Sequence, residues 1–319
     1  MKRNKDKISI VIPCYKSEKT IQKVVDSLVK NLKKRGNEFE IVLVNDCSPD
    51  DVWSVIKSLV LKYGHIVKGI NLSKNFGQQA ALMAGYSETH GDIIVSLDDD
   101  GQTDPNDIWL LIDELNNGYD VVMAKYPQLK EKFYRRLGSL INNKMAEVLL
   151  KKPKNLVATS YIAYKRYVID EMLEYDKPFT YISGLIYRIT NNIGQVEIEH
   201  HDRISGNSGY NLKKLVGLLI NGFTAFSIEP LRIGTYIGFT VSGIGFIYGI
   251  VIIIRKLTSS IQQPGYSSIM ACLLFVGGII MVLLGLIGEY IGRIYICINK
   301  SPQYVVKEKT NIKQNINSK

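Results

Sequence analysis

The apolar run Ile93-Ile94-Val95-Ser96-Leu97 leads directly into the acidic cluster Asp98-Asp99-Asp100-Gly101-Gln102. Such a run predicts a buried strand, and the first polar residues after it emerge at the edge of the sheet where open α/β folds bind ligands. Because alternate side chains on a strand share a face, Asp98 and Asp100 are predicted to point to one place and Asp99 away from it. Two carboxylates in that position suit Mg²⁺ or Mn²⁺ carrying a diphosphate.

Two other interpretations of the acidic cluster exist. A solvated acidic turn would use the same residues, and the cluster alone does not distinguish it from a metal site. A calcium loop would need glycine at its sixth position and glutamate at its twelfth, where this chain has Thr103 and Trp109. The calcium loop is therefore excluded, and the acidic turn stays open.

The first 125 residues alternate short β-branched runs with amphipathic stretches. They predict strands at 8–12, 40–44, 67–72, 93–97 and 121–124, and helices at 18–34, 51–63, 78–90 and 105–116. This alternation indicates an α/β fold with a doubly wound, mainly parallel, Rossmann-like sheet. The segments 13–15, 45–50 and 73–77 follow strands and are expected at one rim with the acidic cluster. A dehydrogenase-type site is excluded, since no G-x-G-x-x-G follows the first strand.

Two stretches near the C-terminus carry no charge, at residues 233–254 and 257–288. A helix needs about 20 residues to cross a hydrocarbon core, so the stretches predict transmembrane helices at 233–254 and 267–288. Lys and Arg flank the pair more often than they occur in its connecting loop, which predicts cytoplasmic termini. No apolar segment opens the chain, so no secretory signal is expected. Two buried core helices are the alternative.

The formal net charge is +10, from 40 Lys and Arg against 30 Asp and Glu. In a membrane protein this excess favours anionic headgroups and phosphorylated ligands over nucleic acid, for which no motif is present. Residues 211–232 lead into the first apolar stretch and predict an interfacial amphipathic helix, and the basic stretch 129–152 is a second candidate. Glycines at G-x-x-x-G spacing predict close helix packing and a homo-oligomer.

An ordered set of segments spans nearly the whole chain. They are Val11-Ile12-Pro13-Cys14-Tyr15, Val44-Asn45-Asp46-Cys47-Ser48-Pro49-Asp50, Leu72-Ser73-Lys74-Asn75-Phe76-Gly77-Gln78-Gln79-Ala80-Ala81, the acidic cluster, Arg203-Ile204-Ser205-Gly206-Asn207-Ser208-Gly209-Tyr210 and the two apolar stretches. Together they resemble the inverting glycosyltransferase family 2, in its polyprenyl-phosphate glycosyltransferase branch. The resemblance implies a GT-A type fold in a cytoplasmic domain at 1–210, then the interfacial helix, the transmembrane pair and a basic cytoplasmic tail at 289–319.

The resemblance also implies a reaction. A sugar would pass with inversion from a nucleotide sugar, expected to be a UDP-sugar, to a polyprenyl phosphate, expected to be undecaprenyl phosphate, at a bacterial cell membrane. Nucleotide-sugar binding is implied for Pro13, Tyr15, Glu18, Asp46, Ser48, Lys74, Asn75, Gly77 and Asp98, and binding of Mg²⁺ or Mn²⁺ for Asp98, Asp100 and Gln102. The structural alternatives are a helix cap near Asp50 for Asp46, and a tight turn for Asn75 and Gly77.

The segment after residue 202 supplies candidates for contact with the acceptor phosphate. Arg203, Ser208 and Tyr210 come just before Lys213, where the chain reaches the membrane, and a guanidinium suits bidentate contact with a phosphate. The expected acceptor-phosphate residues are Arg135, Arg136, Arg203, Ser208, Tyr210 and Lys213, and the expected catalytic residues are Asp98, Asp100 and Arg203. Binding of lipid headgroups alone is the simpler alternative for the cations.

No residue is assigned as a general base. Relatives in this branch often carry an acidic residue in the segment that matches Ala158-Thr159-Ser160-Tyr161, and Asp99 and Asp202 are the open candidates. A phosphate monoester has its second pKa near about 6, so its attacking oxygen is already largely anionic.

Two other functions compete with lipid-linked sugar transfer. A processive polysaccharide synthase should carry a Q-x-x-R-W motif, whereas the tryptophans here are Trp53 and Trp109, outside any such motif. A non-catalytic nucleotide-sugar scaffold is disfavoured by the complete Asp98, Asp100 and Gln102 set, but the set alone does not exclude it.

Overall fold

A computed structural model describes residues 6–101, 103–126, 147, 152–153, 156–157, 159–198, separate positions between 234 and 254, and 265–312. The chain divides into a first unit, Met1–Leu215 with Ser301–Lys319, and a second unit, Val216–Lys300. The first unit contains the sheet. The second contains the apolar stretches.

The described strands form one sheet in the order β7-β5-β6-β4-β1-β2-β3-β8. Their bounds are β1 Ile8–Cys14, β2 Phe39–Asn45, β3 Val67–Leu72, β4 Ile93–Ser96, β5 Val121–Lys125, β6 Ile162–Lys165, β7 Ile193–Glu197 and β8 Val306–Thr310. The neighbours β4, β1, β2 and β3 are parallel, as are β5 and β7, whereas β6 and β8 pair antiparallel with their neighbours. The mainly parallel prediction therefore holds for the centre, and the complete sheet is mixed.

The helices of the first unit cover the two faces of this sheet. Their bounds are α1 Ile21–Arg35, α2 Val52–Tyr63, α3 Gln78–Tyr86, α4 Ile108–Asn116, α5 Arg166–Leu173 and α6 Ile182–Ile189. In α1 the buried residues Ile21, Val25, Leu28 and Leu32 recur at three- and four-residue intervals, which places one apolar stripe on the core. The alternation of strand and helix in the sequence predicted α1 to α4 to within a few residues of most of their ends, whereas α5 and α6 were not predicted.

The centre of the sheet is fully buried at β1. Every residue of β1 is buried, as expected for a central parallel strand covered on both faces. α3 lies directly on this strand at Gly85. A Cβ added at Gly85 would collide with the Val11 side chain and would lie 3.1 Å from Val44, so only glycine fits this contact. The close contact fixes the start of α3 relative to the carboxyl ends of β1 and β2.

Three strands were not predicted from the sequence. β6 and β7 have five residues or fewer, and β8 reads Val-Lys-Glu-Lys-Thr at the far end of the chain. Charges suit β8 because it forms an edge of the sheet, where charged side chains discourage further pairing. Residues 306–310 of the predicted basic tail therefore complete the sheet of the first unit.

The second unit contains helix α7, Tyr266–Ile298. Among the described residues, one helical segment has the length and composition of a membrane span, Phe275–Ile298, with a mean hydropathy of 2.0. The predicted span 267–288 lies within α7, and the helix continues beyond it. The described positions between 234 and 254 are all helical, but most of the first predicted span and all of 211–232 lie outside the described residues. A Cβ on Gly234 would lie 2.5 Å from Leu283 Cδ2, so these two segments approach closely.

Candidate active site

The loops that follow β1 and β2 are joined by hydrogen bonds. The Lys16 N–H donates to Ser48 Oγ at 2.7 Å, and the Asp51 N–H donates to Glu18 Oε2 at 3.0 Å. Both links are possible because parallel strands end on the same side of the sheet. Glu18 and Ser48, predicted to bind the donor, are thus brought to one rim, where their side chains also hold the two loops together.

Asp46 organises the loop that follows β3. Its carboxylate is buried and accepts the N–H groups of Phe76 at 2.7 Å and Gly77 at 2.9 Å, while Asn75 Nδ2 donates to its carbonyl at 3.1 Å. Burial raises the pKa of Asp46, and the two N–H donors oppose that rise. Gly77 has φ +90°, a value that L side chains rarely adopt, and it precedes the first residue of α3.

These contacts decide between the alternatives for Asp46. α2 begins at Val52, and no side chain caps it. The carboxylate lies instead at the start of α3, so the alternative of a helix cap near Asp50 is wrong. Asp46, Asn75 and Gly77 were all predicted to bind the nucleotide-sugar donor. In the structure they form one hydrogen-bonded group.

Asp98 is held by two side chains that were not among the predicted site residues. Gln78 Nε2, in the first turn of α3, donates to Asp98 Oδ1 at 2.8 Å, and Ser160 Oγ donates to Asp98 Oδ2. The Ser160 carbonyl accepts from Ser96 Oγ at 3.0 Å, which ties the segment before β6 to the end of β4. Gln78 belongs to the segment 72–81 and Ser160 to the segment 158–161, and the family resemblance drew attention to both segments. The contact of Ser160 with Asp98 was not predicted, because β6 was not predicted.

Asp99 has different hydrogen-bond partners from Asp98. Its Oδ2 accepts the Tyr15 N–H at 2.9 Å, and its carbonyl accepts from Thr20 Oγ1 at 2.7 Å. Burial raises the pKa of Asp99 to about 6, with the charge of Asp98 adding to the rise and the Tyr15 N–H opposing it. Asp99 therefore fixes the loop after β1, where the Tyr15 ring is 46% exposed and the Lys16 ammonium lies 5.5 Å from the ring centre.

Asp98 and Asp100 both lie near Tyr126, at the end of β5. Burial raises the pKa of the Tyr126 phenol, and the carboxylates of Asp98, Asp100 and Asp107 raise it further. Asp107 is a neighbour that the sequence did not single out. A Mg²⁺ site of the kind that uses one or two carboxylates plus substrate phosphates fits this pair. Within the described residues, which leave out Gln102, no group of three His, Cys, Asp or Glu side chains converges.

The structure also describes two further residues that were predicted to bind the nucleotide sugar, Pro13 and Lys74. Pro13 lies within β1 opposite Val44, and the Lys74 ammonium lies 5.0 Å from the centre of the Phe76 ring. The remaining predicted site residues lie outside the described part of the chain; these are Gln102, Arg135, Arg136, Arg203, Ser208, Tyr210 and Lys213.

Comparison with protein families identifies the family to which this chain belongs. A family model described as glycosyl transferase family 2 matches residues 9–173, more than half of the 319 residues. This chain belongs to glycosyl transferase family 2. A second model, described as the GtrB C-terminal hairpin, matches residues 229–294 of the same family 2 protein. The family predicted from the sequence is therefore confirmed.

Curated relatives of this family 2 glycosyltransferase match over nearly their whole length. The undecaprenyl-phosphate 4-deoxy-4-formamido-L-arabinose transferase of Proteus mirabilis (strain HI4320) is 29% identical over 97% of this chain and 95% of the relative. The protein of the same name from Serratia proteamaculans (strain 568) is 30% identical, over 98% of this chain and 96% of the relative.

Solved structures resemble the fold. Glucosyl-3-phosphoglycerate synthase from Mycobacterium tuberculosis in complex with Mn²⁺ and UDP-glucose has a TM-score of 0.52 at 19% identity, covering 69% of this chain and 77% of that one. The same enzyme with Mn²⁺, UDP and glucosyl-3-phosphoglycerate has a TM-score of 0.50 over 67% of this chain and 76% of that one, also at 19% identity. The GT-A type α/β fold predicted for the first unit is confirmed.

Proposed function

We propose that this glycosyltransferase moves a sugar, with inversion, from a UDP-sugar to undecaprenyl phosphate at the cytoplasmic face of a bacterial membrane. The observation that carries the proposal is the rim itself, where loops from four neighbouring parallel strands are hydrogen-bonded into one group around Asp46 and Asp98. Relatives named as undecaprenyl-phosphate sugar transferases match over almost the whole chain, hairpin region included, and support the acceptor.

The donor would bind along this rim. Tyr15 offers an exposed aromatic face for the base, and Pro13, Glu18, Asp46, Ser48, Lys74, Asn75, Gly77 and Asp98 complete the proposed set. Asp46 already accepts two backbone N–H groups, yet a carboxylate has about four acceptor positions, so one base N–H can still be accommodated. The structural neighbours bind Mn²⁺ with UDP or UDP-glucose, which supports a UDP-linked donor.

Asp98, Asp100 and Gln102 would hold Mg²⁺ or Mn²⁺. When bound, the ion supplies Lewis-acid stabilisation of the departing diphosphate. Gln78 and Ser160 keep the Asp98 carboxylate in a fixed orientation. A ligand that is already oriented loses little conformational entropy when the donor arrives.

The nucleophile would be an oxygen of the lipid phosphate. Arg203, with Arg135, Arg136, Ser208, Tyr210 and Lys213, is proposed to bind that phosphate, since cations and hydroxyls are its natural partners. The phosphate is largely dianionic at neutral pH, because its second pKa is about 6. Asp99 is committed to the Tyr15 N–H, so no general base is assigned to it.

The position of β8 supports a membrane arrangement. Because β3 and β8 lie in one sheet, a chain that crosses the membrane between residues 198 and 306 would cross it an even number of times. With Phe275–Ile298 as one proposed crossing, the uncharged stretch 233–254 has the length needed for the other. We therefore propose a two-helix hairpin with both termini cytoplasmic. The open faces at Gly288 and Gly292 suit contact with a second copy in a homo-oligomer.

The test is transfer of radiolabel into lipid. Membranes containing the full chain are incubated with undecaprenyl phosphate, Mn²⁺ and labelled UDP-glucose, UDP-N-acetylglucosamine or UDP-4-deoxy-4-formamido-L-arabinose, with GDP-mannose as a comparison. We expect acid-labile label in the organic phase with at least one UDP-sugar. Label found only in insoluble polymer would favour a processive synthase, and no incorporation with any donor would favour a non-catalytic scaffold.

A further inference from the structure

The residues that follow the membrane helix return to the first unit and lie across its edge. We call residues 301–312 the C-terminal strap. Its strand β8 pairs antiparallel with β3, from Leu72 opposite Val306 to Gly69 opposite Thr310. The strap therefore ends the sheet on the side that carries the donor loops.

Three side chains anchor the strap in addition to the backbone pairing of β8 with β3. Glu308 accepts from Trp53 Nε1 at 3.1 Å, and Lys309 forms an ion pair with Glu88. Asn311 Nδ2 donates to the Val67 carbonyl at 2.9 Å. These anchors connect the strap to α2, to the end of α3 and to the start of β3.

One strap contact reaches the donor site. The Ser73 N–H, the first after β3, donates to the Val305 carbonyl at 2.8 Å. Three and four residues later, the N–H groups of Phe76 and Gly77 bind the Asp46 carboxylate. The next residue is Gln78, which orients Asp98. The loop 73–77 is thus held at one end by the strap and at the other by the proposed donor residues.

The strap also holds a loop on the other side of α3. Gln303 Nε2 donates to Thr180 Oγ1 at 2.6 Å and to the Lys177 carbonyl at 3.2 Å. Two residues further, the Ile182 N–H donates to Gln79 Oε1, in the first turn of α3, at 2.9 Å. The C-terminal strap therefore contacts two loops that adjoin the start of α3, residues 73–77 and 177–182.

We propose that the C-terminal strap is a positioning element of the donor site. The loop 73–77 keeps its geometry toward Asp46 and Asp98 because the strap supplies an acceptor for Ser73 and pairs the otherwise open edge of β3. Without it, the loop gains conformational freedom that donor binding must remove, so affinity for the donor falls. The proposal rests on the proposed function for the identity of the donor.

The test uses a triple variant of the full chain, Glu308→Ala, Lys309→Ala and Asn311→Ala. It removes the three side-chain anchors on and after β8, keeps Gln303, and leaves the proposed donor-binding residues unchanged. Lys307→Ala is the matched control, since Lys307 is exposed on the same strand. Amide hydrogen exchange is measured at residues 73–79, and steady-state kinetics give KM for the UDP-sugar and for undecaprenyl phosphate separately.

We expect exchange at residues 73–79 to rise at least tenfold in the triple variant and to be unchanged in the control. Exchange in β1 and β4 should stay slow in both, which shows an intact core. KM for the UDP-sugar should rise about tenfold, and KM for the lipid phosphate should stay within twofold. Exchange and donor KM equal to those of the unaltered chain would overturn the proposal. Exchange needs no substrate, so it tests the strap even if the proposed transfer is absent.

Discussion

Asp98, Asp99 and Asp100 are consecutive in the chain but have different surroundings. Asp98 is oriented by a glutamine from α3, Asp99 holds the loop after β1, and Asp100 lies with Asp98 near Tyr126. A single acidic cluster therefore contributes both to the proposed metal site and to the loop that would receive the base. Substitutions at Asp99 and at Asp100 should accordingly impair different steps.

Glu40 forms a charged network away from the rim. Its side chain is 6% exposed, accepts from Ser9 Oγ at 2.6 Å and pairs with Lys68 Nζ at 2.8 Å. Burial alone would raise the pKa of Glu40, but hydrogen bonds from Lys68, Ser9 and the His90 N–H hold it below its ordinary value. The charged form is therefore favoured in the folded protein.

Replacement of Glu40 by Gln should destabilise the first unit by about 3 kcal/mol, because Lys68 is left nearly buried without its counter-charge. The stability that ionised Glu40 contributes is present above its ordinary pKa of 4.5 and is lost as pH falls below that value. Urea unfolding of the solubilised chain, followed by tryptophan fluorescence, measures both effects. A Glu40→Gln midpoint that matches the unaltered chain at pH 7 would contradict this account.

The sequence predicted part of this chemistry and missed the rest for a physical reason. The separation of Asp99 from Asp98 follows from strand alternation alone, which is a local property. The contact of Ser160 with Asp98 spans 62 positions and depends on the antiparallel pairing of β4 with β6. Long-range pairing leaves no local periodic signal, so the contact between Ser160 and Asp98 could not be predicted without the fold.

Helix α3 is the element that connects the core to the site. It begins after Gly77, at the Asp46 carboxylate, and all its residues from Ala80 to Tyr86 are buried. Gly85 allows the helix to lie directly on Val11 of β1. Its position therefore controls where Gln78 meets Asp98.

Replacement of Gly85 by Val should overfill this contact and destabilise the first unit by about 3 kcal/mol. Because α3 would be displaced from β1, the donor KM should rise as well. Leu61→Ala is the control, since that side chain on α2 is 87% exposed and should change stability by less than about 0.5 kcal/mol. Urea unfolding and donor kinetics check the pair, and equal midpoints for both variants would refute the packing argument.

The strands also show where sequence patterns stop being informative. β1 to β5 are runs of β-branched residues bounded by turns, and all five were predicted. β8 reads Val-Lys-Glu-Lys-Thr, without an apolar alternation, and Glu308 contacts Trp53, which lies 255 positions earlier in the chain. A charged segment after a membrane helix is typical of a solvated tail, and only its partner strand makes it part of the sheet.

The whole chain leaves the first unit after β7 and returns to it at β8, with the apolar unit between. In the proposed arrangement, the chain crosses the membrane an even number of times along this path. The loop between the two proposed spans should then face the side opposite to β8.

Cysteine labelling tests this arrangement. In a chain whose four native cysteines are replaced by alanine, Gly265→Cys precedes α7 and Lys307→Cys lies on β8. A membrane-impermeant maleimide added to intact cells should label Gly265→Cys and leave Lys307→Cys unlabelled until the membrane is permeabilised. Labelling of both positions in intact cells, or of neither, would contradict the two-helix hairpin.

Metal-dependent sugar transfer through the proposed Asp98 and Asp100 site is tested by comparing the unaltered chain with Asp100→Ala. Transfer by each is measured with and without EDTA. Loss of the ion should remove several kcal/mol of leaving-group stabilisation. This loss corresponds to a decrease in kcat of at least about 100-fold. Asp113→Asn, an exposed aspartate paired with Arg35, is the control and should retain full activity. We predict that Asp100→Ala and EDTA each abolish transfer of label to undecaprenyl phosphate, and that excess Mn²⁺ restores only the EDTA-treated unaltered chain. Full transfer by Asp100→Ala would contradict the account.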